Sequence, residues 1–247
     1  MRRIFLLTVL ILLFLPPYAQ SKDKPKAFDT AAELKDWMSH YYLHRDASLV
    51  IPAIRSMFRE SLLAQESARL PIEAFLSSLF YQNQKKLEVW LRELDDLGLE
   101  QKKILWEAIH LSHIPQDKAL LKRIRTRNGG EAGKFIDQLL KEEKKPLLEV
   151  EISKPVILDM LWGQFLASGD ERCVQRVISA LTLLDEKQNA DRVLIGGAAK
   201  WSLASNAKQH PRVLEICKST LSFQTGVVRE VLEDIVREAE TEKHEKS

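Results

Sequence analysis

The sequence predicts an all-α chain built from helical hairpins stacked on one another. Three observations carry that expectation. Apolar residues recur at three-to-four-residue steps, as at Leu158, Trp162, Phe165 and Gly169, and again at Val174, Val177, Ile178, Leu181 and Leu184. Proline or polar breaks interrupt these runs at regular distances, and a large aromatic residue leads each new run. No convincing alternating strand pattern appears, apart from a short ambiguous "LLEVEIS" at 147–153.

From the N-terminus, "MRRIFLLTVLILLFLPPYAQSK" places two arginines before an apolar run from Ile4 to Leu15, then Pro16, Pro17 and small Ala19. That is the layout of a secretory signal peptide, expected over 1–19. The run falls short of the ~20 residues that cross a bilayer, so no stable membrane insertion is expected after cleavage. A periplasmic or secreted location follows. Residues 20–28 read as a linker, 29–236 as a helical-repeat domain, and 237–247 as a charged tail following a fraying helix end.

"TAAE" at 30–33 has the spacing of a capping box, which opens the first helix. Five hairpins then follow, led by Trp37, Phe75, Trp106, Trp162 and Trp201, at intervals of 38, 31, 56 and 39 residues. Pro52, Pro71, Pro115, Pro155 and Pro211 stand at or near the starts of apolar-periodic runs, where a missing N–H costs little. In the fourth hairpin Gly169 suits the left-handed residue that closes one helix, and Asp170 suits the cap that opens the next. The long interval accommodates an insertion near 128–154, opening on the turn signal "NGG" and carrying an amphipathic segment with Phe135, Ile136, Leu139 and Leu140.

A period of this size resembles an α-solenoid, broadly similar to tetratricopeptide or HEAT arrays. The likeness implies architecture only, because the tetratricopeptide signature W-x2-L-G-x2-Y is not met at Trp106 or Trp162. In such an array one hairpin cannot bury its apolar face alone, so the five aromatic residues are expected to act as structural anchors packed between neighbours.

Composition narrows the chemistry. Of 37 basic residues, loss of Arg2 and Arg3 with the leader leaves as many as the 35 acidic ones. A balanced chain without a long basic run gives no reason to expect nucleic acid. His40 with His44, and His110 with His113, share helical faces at metal-like spacing, yet no third ligand is fixed by sequence, so no metal and no cofactor are expected. Together with Tyr41 and Tyr42, these histidines form the candidate interaction surface. Glu66, Ser67 and Pro71 in "QESARLP" resemble the E-S-x-x-x-P element around the catalytic acid of lytic transglycosylases. The G-L-M-Q-like segment that accompanies that element is missing. No G-x-S-x-G elbow exists, and Cys173 and Cys217 are expected as buried free thiols. The leading expectation is thus a non-catalytic envelope protein that mediates protein or peptide interaction; the alternative is an enzyme acting on cell-wall polymer.

Overall fold

A computed structural model of the chain describes residues 28–60, 63 and 66–245, so the expected leader and nearly all of the expected linker lie outside the described residues. Among the described residues the chain forms twelve α-helices and no strand. They are α1 (Ala31–His44), α2 (Val50–Arg59), α3 (Glu66–Gln82), α4 (Gln84–Glu93), α5 (Leu99–Leu111), α6 (Asp117–Arg127), α7 (Gly130–Lys141), α8 (Pro155–Ser168), α9 (Glu171–Ser179), α10 (Ala190–Gln209), α11 (Pro211–Leu221) and α12 (Gly226–Glu245). None of them is long and apolar enough to cross a membrane.

Local chemistry explains several helix ends. Thr30 caps α1 by accepting the Glu33 N–H at 3.1 Å, while the Glu33 carboxylate accepts from Asp29 N–H at 3.0 Å. Gly169 closes α8 at φ 68°, and the Asp170 carboxylate accepts the Arg172 N–H at 3.0 Å to open α9. Pro155 and Pro211 occupy the first turns of α8 and α11. Pro71 departs from that pattern, because it lies inside α3, which begins at Glu66. The ambiguous 147–153 stretch is a 3-10 turn at Leu147–Glu149 followed by extended chain, not a paired strand.

Helix α12 covers 237–245, where a charged tail is expected. Val228, Val231, Leu232, Ile235 and Ala239 are buried at helical spacing and carry the helix onward. Ion pairs from Lys208 to Glu238 and from Lys218 to Glu240 tie its outer face to α10 and α11.

The order in which helices touch differs from chain order. Helices α5, α3, α8, α10 and α12 make successive packing contacts, the α3–α8 interface being the most extensive in the molecule. Helix α1 also lies against α8, and α9 packs on α11. In a strictly sequential array each unit touches only its neighbours, whereas here the fourth helix pair docks on the second and the first. Composition gives the reason. Ile72, Ala74, Phe75, Leu76, Leu79 and Phe80 leave α3 buried around most of its circumference, as Leu158, Met160, Leu161, Trp162, Phe165 and Ala167 do for α8. A helix that is apolar all round belongs at the centre. Gly163 permits the crossing: a Cβ built there would lie 2.2 Å from the Pro71 carbonyl oxygen.

The aromatic anchors divide. Phe75, Trp106 and Trp162 are buried, Trp162 edge-on to Phe165 with ring centroids 6.0 Å apart. Trp37 is half-buried among Phe28, Tyr41 and Phe75. Trp201 is no anchor, being 75% exposed. Helix α10 turns Ile195, Ala199, Leu203 and Ala207 to the core, and a residue two positions after Ala199 points about 200° away from that face.

Candidate functional site

A groove of about 840 Å³ lies between the C-terminal ends of α3 and α5, the 146–149 turn, the end of α8 and one face of α9. Its walls are mixed: Leu111, Pro146, Leu147 and Leu148 supply apolar surface, and three helices supply the polar groups. Helix α3 contributes Ser77, Ser78, Tyr81 and Gln82, α8 contributes Gln164 and Ser168, and α9 contributes Arg172, Gln175, Arg176 and Ser179. The spacings 164/168, 172/175/176/179 and 77/78/81/82 each set these side chains on one face of a helix.

Hydrogen bonds to backbone hold the walls together across elements. The Arg45 guanidinium, at the left-handed residue that ends α1, donates to the Ser168 carbonyl at 2.7 Å. Gln82 donates to the Ala167 carbonyl at 3.0 Å, and Arg176 Nη2 to the Val150 carbonyl at 2.7 Å. Arg172 grips Asp170 through two carboxylate oxygens, which holds the Asp170 carboxyl below the usual carboxylate range. Arg45 and Arg176, in contrast, meet no carboxylate at ion-pairing distance among the described residues.

The serines of the groove point inward on their own helices. Ser77 donates to the Ala74 carbonyl, Ser112 to Ile109, Ser168 to Gln164 and Ser179 to Arg176. None of these hydroxyls is hydrogen-bonded to a histidine or carboxylate, the pairing that activates a serine nucleophile. Cys173 and Cys217 are free and buried, and burial pushes both thiols up to about 12, where the reactive thiolate is scarce.

The sequence-predicted surface residues do not gather into one exposed patch. Tyr41 and Tyr42 are core residues, Tyr41 packed on Phe75 and Tyr42 on Phe165. His110 is also buried, which depresses its pKa, and neither ring nitrogen has a hydrogen-bond partner. These three lie on the inward faces of α1 and α5, since their ring area belongs to the core and not to a tip. His40 is partly exposed and its ring lies 5.5 Å from His210, tilted at 50°; His210 is a buried histidine whose pKa is lowered by burial and then by His40. His44 is exposed, and His113 lines the groove at φ 50°. Among the described residues no group of three or more His, Cys, Asp or Glu is placed to hold a metal ion.

The E-S-x-x-x-P element opens α3. Ser67 is exposed, and the Pro71 carbonyl lies under Gly163 at the α3–α8 crossing. The carboxyl on α3 with an unusual titration is Glu73, pushed up to about 7 chiefly by burial and then by Glu107, with Arg69 opposing. Arg69 bridges Glu73, at 2.7 Å, and Glu107 across the α3–α5 interface. No protein-family model, curated protein or solved structure matches the chain.

Proposed function

We propose that the protein is an exported, non-catalytic helical-repeat protein of the cell envelope, periplasmic or secreted, that holds a protein or peptide partner in the groove between α3, α5, α8 and α9. The observation that carries this reading is the groove itself. It is about 840 Å³ in volume and lined by amides, hydroxyls and guanidinium groups beside an apolar strip of Leu111, Pro146, Leu147 and Leu148. The side chains that line it are engaged with backbone carbonyls, an arrangement suited to recognition and not to proton transfer. The export half of the reading rests on the arginines, apolar run and small residue of the N-terminal sequence. The five helix pairs led by Trp37, Phe75, Trp106, Trp162 and Trp201 are read as units of a repeat array, with unit order in space altered by the docking of α8 on α3.

A photo-crosslinking residue at Tyr81, which is 53% exposed in the groove, tests the reading against the same residue at Trp201, outside the groove. A discrete partner captured from the envelope at position 81 alone supports it. Uniformly unspecific crosslinks at both positions would remove it. Turnover of purified cell wall by the full chain, abolished by Glu66→Gln, would replace it with the enzymatic alternative.

A further inference from the structure

We infer that the segment taken by this groove is acidic: an extended peptide whose Asp or Glu carboxylates are received by Arg45 and Arg176. The inference rests on the groove being a peptide site and names the chemistry of its occupant. Both guanidiniums are already oriented, because each donates one N–H to a carbonyl, Arg45 to Ser168 and Arg176 to Val150. A carbonyl fixes the plane of a guanidinium without neutralising it, so its charge is left for a carboxylate to meet.

Several other arginines are neutralised: Arg55 meets Asp96, Arg125 meets Asp137, Arg212 meets Glu171 and Arg229 meets Glu233. Arg176 is half-buried in the groove wall, and its Nε is buried without a hydrogen-bond partner. A cation withdrawn from water without a counter-charge is costly, so an incoming carboxylate there gains more than one meeting a solvated surface arginine.

Two features favour a peptide over a nucleic acid. Gln164 and Gln175 line the groove with amides, which offer both donors and acceptors to an extended backbone. Glu149 and Asp170 share the same walls, and they oppose a polymer charged at every phosphate more than a peptide with spaced carboxylates.

The test is binding of the full chain to a fluorescein-labelled pool of extended peptides carrying Asp and Glu at varied spacings. The same pool with Asn and Gln at those positions is its comparison. The acidic pool should bind roughly tenfold tighter or more, with the difference shrinking as salt rises. Arg176→Gln and Arg45→Gln should each remove most of that preference, and Arg127→Gln, on a separate hollow beside α6, should leave it intact. Equal binding of acidic and amide pools would overturn the inference while the groove reading stands. An effect of Arg127→Gln with none at Arg176, or displacement by a single-stranded oligonucleotide but not by acidic peptide, would also overturn it. If neither pool binds and position 81 captures nothing, the groove reading itself falls and takes the inference with it.

Discussion

Trp162 and Trp201 hold equivalent places in the repeating pattern and end in opposite environments. Trp162 is 8% exposed, and its ring packs against Phe165. Trp162→Ala should therefore cost ~3–5 kcal/mol, as large aromatic truncations in cores do. Trp201→Ala should change stability by no more than about 0.5 kcal/mol. Denaturant unfolding of the two variants checks the pair, and equal losses would mean that Trp201 is buried after all. Glu73 supplies a pH prediction at the same scale. Burial holds the Glu73 proton in the folded chain up to about 7, against an ordinary glutamate value of 4.5. Its contribution to stability is thus fully present below about pH 4.5 and lost as pH rises through 7. Glu73→Gln stays neutral throughout and should flatten the fall in stability over that window. A variant with the parent's pH slope would show that Glu73 ionises freely in the folded state.

Helix packing turns on single atoms where α3 crosses α8. Gly163→Ala places a methyl group against the Pro71 carbonyl, which must push two central helices apart. Overpacking of this kind costs about 1–3 kcal/mol. Gly197 sits in α10 with nothing within 4 Å of an added Cβ, so Gly197→Ala should gain ~0.5–1 kcal/mol from helix propensity alone. Thermal melts that rank Gly163→Ala below the parent and Gly197→Ala above it would agree with this crossing. The reverse ranking would place α3 and α8 elsewhere. Helix boundaries were largely legible at this scale because their causes are local: Thr30, Gly169, Asp170, Pro155 and Pro211 act within a turn or two of themselves. Pro71 misleads for the same reason, since a proline marks a first turn only when nothing helical precedes it. The groove was not legible as a site. Its polar stripes on α8 and α9 have the spacing of an ordinary solvated face, and only the arrival of α3, α5 and residues 146–149 makes them walls.

Across the whole molecule, the apolar side chains gather into two clusters, one largely from α1 to α7 and one largely from α8 to α12, joined along α3 and α8. A strictly sequential array tends to lose cooperativity as it lengthens, because each unit is held only by its neighbours. Here α8 touches α1, α3, α9 and α10, so its loss would undo both clusters together. Unfolding followed by far-ultraviolet circular dichroism and by tryptophan fluorescence should therefore give one coincident transition. Two separated transitions would show that the clusters are independent.

The sequence by itself determined the helical class, the caps at Thr30, Gly169 and Asp170, the apolar stripes and the burial of Phe75, Trp106, Trp162 and both cysteines, since each of these follows from a 3.6-residue period and short-range capping. Only the tertiary structure decided which helices meet, that Tyr41, Tyr42 and His110 face inward, that Trp201 faces out, and that Arg45 and Arg176 come to one groove. The physical reason is range. Periodicity states which face of a helix avoids water, but the identity of the surface that covers it depends on shape matches such as Gly163 over Pro71, between residues far apart in the chain.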